Sequence, residues 1–228
     1  MSIADNIKTV KDRIASAAKR AGRDPAAVRL VVVTKTIDHE RIKEAVDAGA
    51  AILGENRVQE AKEKIETLGS VASWHLIGHL QVNKARHAVR LFDLIHSVDN
   101  RELAAEIDKQ AAKLGKVQNV LVEVNIAGEA SKAGMAVKNA PALVREIAKH
   151  GNITIQGLMT IPPFSENPED SRPYFSVLRE LAESIVRENI PGVFMRELSM
   201  GMSGDFAVAI EEGATLVRVG TAIFGERG

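Results

Sequence analysis

Eight short, almost continuously apolar runs punctuate this chain, and they constrain its fold more than any other feature. They lie near Leu30–Thr34, Ala51–Gly54, Ser73–Ile77, Leu94–Val98, Val120–Val124, Thr154–Met159, Glu197–Met200 and Leu216–Val219. Few show the strict apolar–polar alternation of a half-exposed strand. Strands buried on both faces read this way, and they are typically parallel and covered by helices. Helical patterns fill the intervals, starting near Asp38, Arg57, Asn83, Asn100, Asn139, Pro168 and Ser203. Asp38 and Asn100 are suited to capping, and Asn167-Pro168-Glu169 is a good helix opening. Eight βα units in 228 residues predict an α/β fold, a closed (β/α)8 TIM barrel. A doubly wound open sheet is the structural alternative, because periodicity does not prove closure. Before the first unit, Ile3, Ile7, Val10, Ile14 and Ala17 recur at helical spacing, and Gly22 is a plausible stop. This predicts an extra N-terminal helix. With no Pro/Gly/Ser-rich linker and no repeat, residues 1–228 are expected to form one domain.

Composition narrows the function classes. Hydrophobic residues make up 45% of the chain, enough for a sizeable core. Lys+Arg and Asp+Glu are 30 each, so the formal net charge is zero. No long basic block is present, which argues against nucleic acid or an anionic membrane as the main partner. There are no cysteines, which excludes disulfides and thiolate metal sites. The N-terminus lacks an apolar signal core, and no apolar stretch approaches the roughly 20 residues that span a bilayer. A cytoplasmic location is expected. Asn152-Ile153-Thr154 is then a chance sequon.

Active sites of such barrels gather where strands end and loops begin. Polar residues at these ends are Lys35, Asn56, His79, Ser97, Asp99, Asn125, Thr160 and Ser203, with Arg218 inside the eighth run. A strand-end lysine can be an ordinary residue reaching water. If buried, its ammonium is disfavoured and the amine becomes a nucleophile suited to an aldehyde. Ser199-Met200-Gly201-Met202-Ser203-Gly204 and Gly220-Thr221 form two late loops of small residues. They can be simple tight turns, or they can let backbone amides approach a phosphate, which barrels often bind at these two loops. Lysine and loops together point to one ligand that is both aldehyde and phosphate ester, as pyridoxal 5'-phosphate (PLP) is.

Arg218 in an apolar strand needs an acceptor, since an unpaired buried charge is costly. A salt bridge with Glu123 or Glu197 would satisfy it, as would the ring nitrogen of a cofactor. His75 and His79 share i, i+4 spacing, but on a strand they need not meet, and no third zinc ligand stands at a diagnostic spacing. Trp74 reads as packing, Met195, Met200 and Met202 as gap-fillers, and Asp99 and Glu123 as structural or acid–base carboxylates.

Longer motifs carry a resemblance. They are Val33-Thr34-Lys35, Gly54-Glu55-Asn56-Arg57-Val58-Gln59-Glu60, Trp74-His75-Leu76-Ile77-Gly78-His79-Leu80-Gln81-Val82-Asn83-Lys84, Gly157-Leu158-Met159-Thr160, Leu198 to Asp205, and Arg218 to Gly225. In these, over essentially its whole length, the chain resembles the pyridoxal phosphate homeostasis proteins. The resemblance implies a barrel like the cofactor domain of alanine racemase, with Lys35 forming a Schiff base with PLP. It implies Ser199, Gly201, Ser203, Gly220 and Thr221 around the phosphate, Arg218 facing the pyridine nitrogen, and Asn56, His79 and Met159 lining the ring pocket, with Met200 also among the cofactor-binding residues. A cationic donor at the ring nitrogen opposes its protonation and makes the ring a weaker electron sink.

The racemase it resembles has a further C-terminal domain and a partner's tyrosine as second base. Here the chain stops soon after the eighth run, and its one tyrosine, Tyr174, matches no racemase motif. The expectation is a monomeric PLP carrier rather than an efficient enzyme, buffering PLP or delivering it to PLP-dependent apoenzymes. A fold type III amino-acid racemase is the alternative. A Schiff-base aldolase fits less well, because the sixth run ends in Met159-Thr160 and Lys132 lies in a loop.

Overall fold

The computed structural model describes residues 2–129 and 132–225; the ends of the expected domain, residue 1 and residues 226–228, fall outside them. Eight parallel strands form the closed barrel: β1 (Arg29–Val33), β2 (Ile52–Glu55), β3 (Ser73–Leu76), β4 (Leu94–Val98), β5 (Gln118–Asn125), β7 (Ile153–Met159), β8 (Val193–Ser199) and β9 (Leu216–Val219). Each pairs with its neighbours in the order β4-β3-β2-β1-β9-β8-β7-β5, and a β4–β5 pairing closes the ring. Closure settles the choice against an open sheet. A two-residue strand, β6 (Met135–Ala136), adds to the outer end of β5 and was not foreseen from the sequence.

The helices are α2 (His39–Asp47), α3 (Val58–Leu68), α4 (Ala85–Leu91), α5 (Arg101–Lys113), α6 (Ala140–Ile147), α7 (Arg172–Val186), α8 (Phe206–Glu211) and α9 (Thr221–Phe224). Asp38 and Asn100 cap as expected, accepting from the amides of Arg41 and Leu103. Several expected starts prove to be 3₁₀ turns leading into the helix, as at Val82–Lys84 and Pro168–Ser171. The largest boundary difference is β8, which begins at Val193 rather than Glu197. It reaches that far through a register shift against β7, with Met195 at φ +47°.

The extra helix α1 (Ile3–Arg20) opens with a reciprocal Ser2–Asp5 capping box. Its apolar face, Ile3, Ile7, Val10, Ile14, Ala17 and Ala18, is buried. It packs over α8, α9 and α2. Asn6 Nδ2 donates to the Ile223 carbonyl at 2.8 Å, and Arg23 Nη1 to that of Ile210 at 2.6 Å. The helix thus covers the seam where the last βα unit meets the first.

Alternation along each strand decides what fills the barrel. Val31, Ile52, Ile77, Leu94, Leu121, Met159 and Leu216 form an interior apolar cluster, separate from the larger core between sheet and helices. Positions i±2 share a strand face. That puts His75 with Ile77, His96 with Leu94, Glu123 with Leu121 and Arg218 with Leu216. The barrel interior is therefore apolar in part and strongly polar in part. Gly157 pairs with Glu197 across β7 and β8 with no room for a side chain: a Cβ there would sit 1.8 Å from the Glu197 carbonyl oxygen.

Candidate functional site

Parallel strands put all their C-terminal ends at one mouth. Lys35 and Asn56 follow β1 and β2, Ile161 to Ser165 follow β7, Met202 to Asp205 follow β8, and Gly220 and Thr221 follow β9. These loops surround a cavity of about 340 Å³ with Lys35, Asn56, Ser203, Arg218, Gly220 and Thr221 in its wall. That volume suits a small ligand. Val33, Ile77 and Ile161 supply apolar wall, and Phe164, 91% exposed, stands at the rim.

The remaining residues expected at the site do not form part of this cavity wall. Met159 is fully buried in the interior cluster, and Met200 in the outer core. Ser199 is also fully buried, beneath Arg218. Gly201, at φ +88°, packs so close to α8 that a Cβ would lie 2.5 Å from Ala209 Cβ. His79 is exposed, its Nδ1 4.0 Å from Asp99 Oδ2, in a neighbouring cavity of about 310 Å³ that shares only Asn56 with the first. The Pro163–Phe164 rim was not foreseen; its one sequence signal is position directly after a strand end.

Lys35 is half-buried in a turn whose next residue, Thr36, has φ +63°. Three charged groups brace that turn from behind. Lys64 on α3, 5% exposed, donates to the Thr34 carbonyl (2.6 Å), Glu55 Oε1 (2.8 Å) and Glu60 Oε1 (2.6 Å). Glu55 Oε1 also accepts from Thr34 Oγ1, and Glu60 Oε1 from the Thr36 amide. Both residues flanking Lys35 are therefore tied to one buried ion cluster. Sequence reading missed it. The only hint is the run Glu55, Glu60, Lys64 across a strand end and the first turns of a helix.

Across the mouth, Thr221 Oγ1 donates to Ser203 Oγ at 3.0 Å and links the two small-residue loops. Asp205 also reaches the cavity wall, but its carboxylate turns back to accept from the Met202 amide (2.6 Å) and Ser171 Oγ (3.1 Å). An anion at these loops would meet hydroxyls and small residues rather than a free carboxylate.

Arg218 is only 4% exposed and forms no ion pair among the described residues, which corrects both salt-bridge partners considered from the sequence. Glu197 pairs with Arg29 instead. Arg218 Nη1 donates to Ser199 Oγ at 2.6 Å and Nη2 to the Thr160 carbonyl at 2.9 Å. Burial lowers its pKa to about 10, against the raising influence of Glu123 and Asp205. Behind Ser199, His96 Nδ1 lies 2.9 Å from the hydroxyl, and His96 Nε2 lies 3.0 Å from His75 Nδ1. Burial depresses both imidazoles, His75 to about 4 and His96 well below its ordinary value.

Glu123, 7% exposed, has an Oε2 with no hydrogen-bond partner among the described residues. Burial first, then the Asp99 charge, raises its pKa to about 7, with Arg218 opposing. A folded-state pKa above the unfolded one means the folded form holds the proton more tightly. That contribution is whole below the ordinary carboxylate range and is lost as pH rises through about 7. Glu123→Gln, a permanent mimic of the neutral acid, is expected to match the parent near pH 4. By pH 8.5 it should be more stable by up to about 3 kcal/mol. Denaturant unfolding at the two pH values measures this; a stability gap that does not widen with pH contradicts it.

Among the described residues no group of three or more His, Cys, Asp or Glu is arranged to hold a metal ion, and no helix is long and apolar enough to cross a membrane.

Comparison with known proteins gives this barrel its relatives. Residues 3–228 match the family described as alanine racemase, N-terminal domain. The pyridoxal phosphate homeostasis protein of Aquifex aeolicus is 47% identical over 228 residues, covering 100% of this chain and 99% of that protein. The structure of PipY of Synechococcus elongatus with PLP bound is 36% identical, with a TM-score of 0.85 over 98% of this chain and 100% of that one. An alanine racemase of Clostridium difficile, at 15% identity and a TM-score of 0.75, shares the fold; 57% of its length is covered. The eight-stranded barrel, the mouth lysine and the whole-length likeness lead to one assignment: the chain belongs to the pyridoxal phosphate homeostasis protein family.

Proposed function

We propose that this protein binds PLP in the cavity at the barrel mouth and serves to buffer or hand on the cofactor. The observation that carries the reading is the joint presence, in one cavity of about 340 Å³, of an amine, a buried guanidinium and two hydroxyl-bearing small-residue loops. PLP supplies an aldehyde that an amine captures reversibly as a Schiff base, and a dianionic phosphate.

Each end of that molecule has a counterpart here. Lys35 presents its amine from a turn held by the Lys64 cluster. Ser203, Gly220 and Thr221 receive the phosphate, with Gly204 adding small-residue backbone beside them. Arg218 sits deeper and offers an N–H to the ring nitrogen, opposing its protonation. Asn56, Val33 and Ile77 flank the ring. Of the residues expected from the sequence, Lys35, Asn56, Ser203, Arg218, Gly220 and Thr221 are assigned to direct contact. Ser199, Gly201, Met159 and Met200 support the walls, and His79 belongs to the adjoining cavity.

Carriage is favoured over turnover because proton transfer on two faces of a substrate needs two bases. Tyr174, the single tyrosine, lies on α7 and does not line the cavity. The name of the Aquifex relative supports the same reading. The reading includes a single PLP-binding domain, a monomer, a cytoplasmic location and PLP-dependent apoenzymes as recipients.

Two measurements test it together. PLP added to the protein is expected to give a saturable visible band at one equivalent, and the loaded protein should exchange the α-proton of alanine or serine no faster than free PLP does. Absence of the band removes PLP binding, and rapid exchange replaces carriage with the racemase alternative.

A further inference from the structure

Resting on the PLP reading above, we propose that His96 is a positioning residue: acting through Ser199 and backed by His75, it holds the Arg218 guanidinium so that an N–H faces the cofactor ring.

Hydrogen-bond logic fixes the direction of the chain. A guanidinium only donates, so at 2.6 Å Ser199 Oγ must accept from Arg218. The Ser199 hydroxyl proton then needs an acceptor of its own. His96 Nδ1, at 2.9 Å, is the other polar atom within reach of that oxygen among the described residues. If Nδ1 carried a proton, the buried hydroxyl proton would have no acceptor, which is costly. So Nδ1 is bare and the proton is on Nε2, from which it donates to His75 Nδ1 at 3.0 Å. His75 Nδ1 is bare in turn. Each hydrogen bond in the series Arg218, Ser199, His96 is donated away from the cavity, and the remaining Arg218 N–H groups are left for the cavity that Arg218 lines.

The consequence concerns charge. Among the described residues no carboxylate lies within ion-pair distance of Arg218, and the chain behind it ends in two neutral rings. Its two anchors, Ser199 Oγ and the Thr160 carbonyl, are both neutral acceptors. The charge is left to act on whatever occupies the cavity. A site built this way prefers a heteroaromatic nitrogen with a free lone pair over a protonated one. His96 sets this by fixing Ser199, without touching the ligand.

The test is nitrogen NMR of the full chain labelled with ¹⁵N-histidine, together with PLP titrations followed by absorbance. Between pH 8 and 5.5, His96 and His75 should both show a bare Nδ1 and a protonated Nε2, and Ser199→Ala should shift His96 Nδ1 above all. An Nδ1-protonated or imidazolium form of His96 overturns the proposal. His96→Leu should weaken PLP binding about tenfold and move the visible band, and His96→Asn, which keeps an acceptor at the Nδ1 position, should restore most of both. Equal affinity and an unmoved band in His96→Leu also overturn it. If the parent protein binds no PLP, the functional reading falls, and the NMR result still decides the chain's direction.

Discussion

Lys35→Ala protein is expected to lose about a hundredfold or more in PLP affinity, roughly 2.7 kcal/mol, and to yield no covalent adduct after borohydride. The variant keeps the phosphate loops and Arg218, so weak, reversible binding should persist. Pyridoxine 5'-phosphate, which has an alcohol in place of the aldehyde, provides the matching control. The parent protein should bind it about as weakly as Lys35→Ala binds PLP, because each comparison removes the same bond. Unchanged PLP affinity in the variant, measured by equilibrium dialysis, would mean that another amine captures the aldehyde. Lys132 is then the first to examine, since its Nζ reaches the Pro162 carbonyl in the loop beside the cavity.

The second large effect concerns Lys64. Its ammonium is surrounded by Glu55, Glu60 and the Thr34 carbonyl. Lys64→Met leaves Glu55 buried opposite no cation, and removing one partner of a buried pair costs about 3–5 kcal/mol. The double variant Glu55→Gln with Lys64→Met should recover much of that loss, because the stranded charge is gone. The single variant should also fix PLP more slowly, since the turn that carries Lys35 loses its brace at Thr34 and Thr36. Denaturant unfolding and borohydride trapping rates measure the two effects. A loss below about 1 kcal/mol would show that the cluster is not what holds the turn.

Much of this was legible in the sequence. Continuous apolar runs announced buried parallel strands, and eight of them announced the barrel. Lys35, Asn56, Ser203, Gly220 and Thr221 stand just past strand ends, and barrel topology gathers such positions at one mouth, where all five line the cavity. Arg218 is conspicuous in the sequence as a cation in an apolar strand, and it too lines the cavity. What was not legible depends on which way a side chain points inside a closed barrel. Met159 and Ser199 are the last residues of their strands, close to the mouth, but alternation and depth put them beneath the cavity. His96 sits in Leu94–Val98 like any strand residue, and nothing in the sequence says that it meets Ser199, 103 positions away. The Lys64 cluster has the same character: its members come together only when α3 packs back beside β2 and the residue that follows β1.

The most direct test is to mix the parent protein with PLP, reduce with borohydride and map the modified peptide by mass. One label per chain, on the peptide containing Lys35, is the expected result. No label, or label spread over several lysines with Lys35 unmodified, would contradict the account.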